Sequence, residues 1–448
     1  MAEAQTLEEA IGYAVATNPE IGAARANRSA IDFELEQARG LYLPQVDLEA
    51  SIGPGWNNGP GEQENDKDWM IRSEASLVVQ QMIYDGGAAD SEIDQQASRV
   101  DAAAYRVLER AEFVGLDVVQ AYLDVLRQQE LIEIARDNLE VQQGIVGDVQ
   151  QRVDAGRSST ADSQQAAERV RNAEATLVDI EQSFEEARQT YLRLTDQPAG
   201  DFSMPAPVAA TVPTDEEEAI RTALENNPTL KAARADIDTA YALYNSAEAN
   251  FHPTVDLEGR ARTGNDLDGV DGRETDLSAL VVLRYNLYRG GIDTANREEQ
   301  IRRIDEARQA MLQVEREVRQ LVQGSYTELD SASRRVDILN EQIALSEQVV
   351  TSYRQQFDIG QRTLLDVLDA ENTLFNTRVS AATARYAELF AQYRVLASMG
   401  QLLSTFGIEP PDEATAAARA RFDVPETPPS EEMSRQEQPD WQQEAAAQ

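Results

Sequence analysis

Most of this chain is written twice. The run Thr6-Leu7-Glu8-Glu9-Ala10-Ile11 is echoed by Thr214-Asp215-Glu216-Glu217-Glu218-Ala219-Ile220. Asn18-Pro19 returns 209 residues later as Asn227-Pro228. At the same offset, Leu43-Pro44 and Val46-Asp47-Leu48-Glu49 return as His252-Pro253 and Val255-Asp256-Leu257-Glu258. Gly86-Gly87 and Gly156 have their counterparts 204 residues on, at Gly290-Gly291 and Gly360. The change of offset falls between alternating segments, where loops absorb differences in length. Two copies are too few for a solenoid. They point to a pseudo-two-fold subunit, with a first repeat over residues 1–209 and a second over 210–408.

Each copy reads in the same order. Thr6 or Thr214 caps a short helix, with Glu9 or Glu217 completing a capping box. Asn-Pro ends that helix and opens another, Asn as cap and Pro at the first helical position. Strict alternation follows, predicting strands near 45–54 and 69–84 in the first copy and near 254–263 and 274–288 in the second. Val46, Leu48, Ala50 and Ile52 face one way, as do Trp69, Ile71, Ala75, Leu77 and Val79. Asp47, Glu49 and Ser51 oppose them, with Arg72, Glu74, Ser76 and Gln80. In the second copy Thr275, Leu277, Ala279, Val281, Leu283, Tyr285 and Leu287 oppose Glu274, Asp276, Ser278, Arg284 and Asn286. Such strands suit a membrane barrel or a soluble hairpin with one buried face. A turn-rich loop, 53–68, joins the first pair.

Very long helices surround these strands. Residues 88–153 and 294–357 carry no proline. In the second run Leu329, Ala332, Val336, Leu339, Ile343, Ser346, Val350, Tyr353 and Phe357 recur in steps of three and four, a coiled-coil seam. At 1.5 Å per residue, roughly 65 residues make a rod of about 100 Å. Gly156 and Gly360 mark hairpin tips near 155–160 and 358–364, from which helices return over 161–194 and 363–406. The fold class is therefore mostly α, a long coiled-coil portion with four strands.

Composition removes several alternatives. The net charge of −40, from 80 acidic and 40 basic side chains, disfavours nucleic acid. The chain has no cysteine and one histidine, His252, which leaves almost no material for a metal site or a Ser-His-Asp triad. No coherent acid, base or nucleophile set emerges, so the chain is not expected to be an enzyme, and no cofactor is implied. His252 is read as marking a helix-to-strand joint. No stretch of about 18 apolar residues suggests a membrane helix. The start, Met1-Ala2-Glu3-Ala4, reads as a mature N-terminus behind an added Met, the signal peptide having been removed. Residues 409–448, rich in Pro, Glu and Gln, are expected to be disordered.

Four strands cannot close a membrane barrel, and an open edge cannot lie in lipid. Copies must share one. Two copies give eight strands, whose side chains fill the interior; three give twelve, wide enough for a duct. Trp69, Tyr84, Tyr285 and Tyr288 then read as interfacial belt aromatics or as packing for the joints.

One stretch carries a family resemblance. Phe357-Asp358-Ile359-Gly360-Gln361-Arg362-Thr363-Leu364-Leu365-Asp366-Val367-Leu368-Asp369-Ala370-Glu371, followed by Leu374-Phe375-Asn376, resembles the second periplasmic turn of TolC-family outer-membrane proteins. The paired Asn-Pro breaks, the duplicated strand–helix pattern and Tyr84-Asp85-Gly86-Gly87 resemble the same family. The resemblance covers about residues 6–407. It implies a homotrimer in the bacterial outer membrane with a shared twelve-stranded barrel and a helical periplasmic tunnel. It also implies two protein partners, a periplasmic adaptor and an inner-membrane transporter, besides outer-membrane lipid. The expected function is the exit duct of a type I protein secretion system; the alternatives are a multidrug-efflux outlet and, remotely, a soluble coiled-coil scaffold.

The resemblance also assigns residues. Asp366 and Asp369 match the constricting aspartates of the periplasmic gate, where rings of carboxylates attract multivalent cations. On residues alone, both also fit an acidic helix start favoured by the macrodipole. Arg362 matches a latching arginine and Asp162 its acidic partner in the first turn. Phe357 stands where the family usually has a tyrosine and Ala161 where it has a hydroxyl residue, so the closed tip is either looser here or held by other contacts. Adaptor contact is expected at Gly156, Arg157, Ser158, Ser159 and Thr160, and at Gly360, Gln361, Thr363, Leu364 and Leu365. No structural metal site is implied.

Overall fold

The computed structural model describes residues 5–55, 69–267 and 272–428. The first repeat gives α1 (Leu7–Thr17), α2 (Pro19–Gly40), β1 (Gln45–Gly55), β2 (Met70–Tyr84), α3 (Ala88–Asp154) and α4 (Thr160–Thr195). The second gives α5 (Glu216–Asn226), α6 (Pro228–Ala249), β3 (Thr254–Asn265), β4 (Arg273–Arg284), α7 (Ile292–Asp358) and α8 (Leu364–Ser398). Two four-residue helices follow, α9 (Leu402–Thr405) and α10 (Ala418–Arg421). Most of the 53–68 loop lies outside the described residues.

The repeated punctuation explains the repeated elements. Thr6 and Glu9 form the expected capping box on α1. At α5 the expectation shifts by one residue: Asp215, not Thr214, is the N-cap, accepting from the Glu217 backbone N–H without a reciprocal bond. Aspartate outcompetes its neighbour because its carboxylate also complements the helix N-terminal charge. Each Asn of the Asn-Pro pair does two jobs. The Asn18 amide oxygen accepts from the Glu20 backbone N–H at 2.9 Å, and its NH2 donates to the Leu194 carbonyl at 3.1 Å. Asn227 repeats this with Thr229 at 3.0 Å and Ser398 at 3.1 Å. One side chain thus starts a helix and ties it to the end of another.

The sheet runs in the order β1-β2-β3-β4, antiparallel throughout, with the repeats meeting where β2 pairs β3. The register places Leu48, Leu77, Ala261 and Leu277 in one cross-strand row and Asp47, Val78, Arg260 and Ser278 in the next. Paired residues share a face, so the expected apolar and charged faces form. The apolar face is bare: Leu48 is 77% exposed, Ile52 78%, Leu277 82% and Val281 69%. The charged face is laced by ion pairs, Arg284 with Asp256 at 2.7 Å and Glu258 at 2.5 Å, and Arg260 with Glu74 at 3.5 Å. β4 ends at Arg284, so Tyr285 and Leu287 lie beyond the strand. At the joint, Gly86 and Gly87 have φ of 76° and 92°, and Gly290 and Gly291 66° and 84°. A Cβ on Gly86 would lie 2.6 Å from the Cβ of His252, so the lone histidine does pack the helix-to-strand joint.

Two compact units emerge, and they cut across the repeats. Within the described residues, one comprises 5–26, 105–231 and 313–414, the other 27–55, 69–104, 232–267, 272–312 and 415–428. In the first, Ile343, Val350 and Tyr353 of the predicted seam pack on Ala370 and Leu374 of α8. α8 stops earlier than expected, at Ser398, because Gly400 turns the chain with φ of 70° where a Cβ would meet Pro228 at 2.9 Å.

The expectation of disorder from residue 409 is corrected as far as residue 428. In the second unit the Arg419 side chain is 3% exposed and donates from Nε to Asp101 at 3.0 Å and from Nη1 to Asp238 at 2.5 Å. Asp101 also accepts from the Ala418 and Arg419 backbone N–H groups, and Asp238 from Thr427. Val424 and Phe422 pack on Ile31, Leu35 and Val100. A polar composition concealed this anchor, because one arginine between two buried aspartates holds a segment that has little apolar surface. Residues 429–448 lie outside the described residues.

Candidate functional site

The site is built at the two helical hairpin turns, both in the first unit. The turns are closed alike. At the first, the Gly156 N–H donates to the Val153 carbonyl at 2.9 Å and Arg157 N–H to Arg152 at 2.8 Å. At the second, Gly360 N–H donates to Phe357 at 3.0 Å and Gln361 N–H to Gln356 at 2.8 Å. Gly156 and Gly360 have φ of 69° and 78°, the left-handed ending that glycine adopts without a Cβ penalty.

Ser159 and Thr363 then cap α4 and α8 in reciprocal capping boxes with Asp162 and Asp366. Asp162 accepts from Ser159 N–H at 2.9 Å and from the Ser158 hydroxyl at 2.8 Å. Asp366 accepts from Thr363 N–H at 3.2 Å and its hydroxyl at 2.7 Å. Both carboxyls are held below the usual range, Asp162 chiefly by the Ser159 backbone bond and Asp366 chiefly by the Thr363 hydroxyl. Two residues to which the family resemblance assigns separate roles therefore occupy equivalent positions in matching capping boxes.

Asp369 lies three residues beyond Asp366. It accepts from Arg169 of α4 at 3.1 Å. The two aspartates line a groove of about 350 Å³ with Leu345, Val349, Tyr353 and Thr373. Arg362 and Asp162 do not meet within the chain. The Arg362 Nε donates to Gln356 at 3.1 Å, its guanidinium covers the Tyr353 ring at 3.8 Å, and its Nη1 stands 3.8 Å from Asp366. Among the described residues no group of three or more His, Asp or Glu side chains is placed to hold a metal ion.

The hairpins are joined by residues that sequence reasoning did not single out. Arg152, near the end of α3, lies over the Phe357 ring at 4.5 Å and bonds to Asp358 at 2.6 Å. It thus engages the phenylalanine through its face, where no side-chain hydroxyl is available. Beside it Ile145, Val149, Ala166, Leu364 and Leu368 form an apolar cluster. Leu364, expected among the adaptor-facing residues, is turned into that cluster and is 4% exposed. Leu365 and Ile359 point out, 45% and 69% exposed. Arg152 reads locally as a cation at a helix C-terminus, and no spacing in the sequence links it to residues some 200 positions away.

The family profile described as outer membrane efflux protein matches residues 10–195 and 219–401, one segment in each repeat. The chain is 23% identical over 399 residues to outer membrane efflux protein BepC of Brucella suis, covering 89% of this chain and 86% of that protein. It is 22% identical over 379 residues to alkaline protease secretion protein AprF of Pseudomonas aeruginosa, covering 80% and 76%. Among solved structures, CusC shares the fold with a TM-score of 0.77 at 16% identity, covering 88% of this chain and 91% of CusC.

Proposed function

The chain belongs to the outer membrane efflux protein family, to which its TolC-family resemblance pointed, and from that premise we propose that three copies form the exit duct of a type I protein secretion system. The observation that carries this reading is the sheet: four strands, two open edges, one bare apolar face and one charged face. An open edge in lipid leaves backbone groups without partners, each at a cost of several kcal/mol. Lateral closure with further copies removes both edges at once, and three copies reach twelve strands. Trp69, Tyr84, Tyr285 and Tyr288, all exposed near strand ends, suit the two interfaces of the bilayer.

The hairpin tips are the periplasmic end in this reading. Asp366 and Asp369 line the constriction, and Gly156 to Thr160, with Gly360, Gln361, Thr363 and Leu365, receive a periplasmic adaptor that joins the duct to an inner-membrane transporter. Ile359 adds an exposed apolar side chain to that surface. Secretion is supported by the likeness to AprF, named for protease secretion. The likeness to BepC, named an efflux protein, supports a second reading as a multidrug-efflux outlet. Planar-bilayer recording tests the constriction. Asp366→Ala with Asp369→Ala should leave assembly intact and weaken block by a trivalent cation added from the periplasmic side by about tenfold or more. Wild-type block in the double variant would remove these residues from the constriction.

A further inference from the structure

The candidate constriction is not a pair of bare carboxylates. Each aspartate has a guanidinium beside it. Asp366 has Arg362, with Nη1 at 3.8 Å from Oδ1, while its Oδ2 is already engaged by Thr363. Asp369 has Arg169, with Nη2 at 3.1 Å from Oδ1. The Arg169 side chain is only 30% exposed against 60% for Asp369. Its Nε is buried without a hydrogen-bond partner, the Glu168 carboxylate standing 4.0 Å away. Arg169 therefore reaches Asp369 of α8 from a half-buried position on α4.

The two arginines differ in where they come from. Arg362 sits in the same turn as Asp366 and travels with it. Arg169 belongs to the other hairpin, so it compensates Asp369 only while α4 lies against α8. A cation entering the groove meets a field that is nearly cancelled locally, since a fixed charge at about 3 Å opposes most of the attraction of its partner at longer range.

We propose that Arg169 is a resident counterion that sets the cation affinity of the constriction according to contact between the hairpins. With the contact made, Asp369 is partly compensated and the constriction holds multivalent cations less tightly than bare carboxylates would. With the hairpins parted, Asp369 is bare and the lumen attracts cations. The proposal rests on the reading that Asp366 and Asp369 line the constriction. Arg169 acts through Asp369 and is a positioning residue.

The test uses the full chain in planar bilayers with lanthanum ion as probe. Arg169→Gln should tighten lanthanum block by about tenfold and shift the reversal potential in a KCl gradient toward cations. Arg169→Lys keeps the charge and should stay within about threefold of wild type. Asp369→Asn leaves Arg169 uncompensated, so it should move selectivity toward anions more than Asp366→Asn does; this variant serves also if Arg169→Gln fails to assemble. Unchanged block and reversal potential in Arg169→Gln, or equal effects of the two Asn variants, would overturn the proposal. Tighter block that persists when Asp369→Ala is combined with Arg169→Gln would also overturn it. Persistence of block in the Asp366→Ala, Asp369→Ala double variant is a separate failure, that of the constriction reading itself.

Discussion

Arg419 shows how much a single side chain can organise. It is buried between Asp101 and Asp238, and both carboxylates also accept backbone N–H groups of the C-terminal segment. Removing the arginine leaves two buried carboxylates facing each other, a situation that typically costs about 3–5 kcal/mol. Arg419→Ala should therefore release the segment around residues 415–428 to limited proteolysis and lower the unfolding midpoint, whereas Arg421→Ala should do neither. Glu112 carries the second prediction at this scale. It is 5% exposed and accepts from the Leu402 and Leu403 backbone N–H groups at 3.0 and 3.3 Å. Burial pushes its carboxyl up to about 7, against the opposing pull of those two bonds. A carboxyl raised on folding binds its proton more tightly in the folded state. This component of stability is thus present at acid pH, declines as pH rises from about 4.5 to about 7, and is flat above. The thermal unfolding midpoint across that window should fall less steeply with pH in Glu112→Gln than in wild type. At the tip the sign is opposite. The depressed Asp162 and Asp366 carboxyls contribute stability above the usual carboxylate range that is lost on acidification below it.

The strands carry their information in alternation. Their register puts Leu77 and Val281 on the bare apolar face and Glu74 and Ser278 on the charged face. Leu77→Asp or Val281→Asp should impair assembly, because a charge on a lipid-facing strand is costly at mid-membrane, about 2–4 kcal/mol for Arg or Lys and less for Asp. Glu74→Gln and Ser278→Asp should assemble; the first loses only the exposed pair with Arg260, worth about 0.2–1 kcal/mol. The yield of heat-resistant oligomer on gels is the readout, and equal loss in both sets would mean the faces are misassigned. The long helices follow the same logic with another period. Ile343, Val350 and Tyr353 of the seam are covered by α8, while Ile338 and Leu345, one step off it, are 64% and 63% exposed.

For the whole molecule, the open edges β1 and β4 make the decisive prediction. The chain has no cysteine, so introduced pairs report cleanly. Cysteines at Leu77 and Ala261, paired in register, should cross-link within one chain. Single cysteines scanned along β1 combined with one on β4 should cross-link between chains and yield covalent trimers. A mass measurement in detergent should give the same trimer, near three times 49.6 kDa. A monomer, or cross-links confined to one chain, would remove the shared barrel.

Local order decided much of this protein in advance. Alternation with period two, seams with steps of three and four, and Gly, Pro and Asn at turns fix the elements, their faces and the hairpin tips, because each depends on residues within a few positions of one another. The duplication extended each assignment to its partner repeat, and the tip motif carried the family. What remained out of reach in the sequence were contacts between distant positions. Arg152 with Phe357, Arg169 with Asp369, and Arg419 with Asp101 and Asp238 join residues some 180 to 320 positions apart. An arginine has the same local signature whether it is solvated, caps a helix or compensates a buried acid. Only the packed chain selects among these, since the charge it meets is supplied by another element. For the same reason the family resemblance assigned Asp366 to a gate and Asp162 to a latch, while the fold shows both as the third-position partners of equivalent capping boxes and gives the neighbouring Asp369 an arginine of its own.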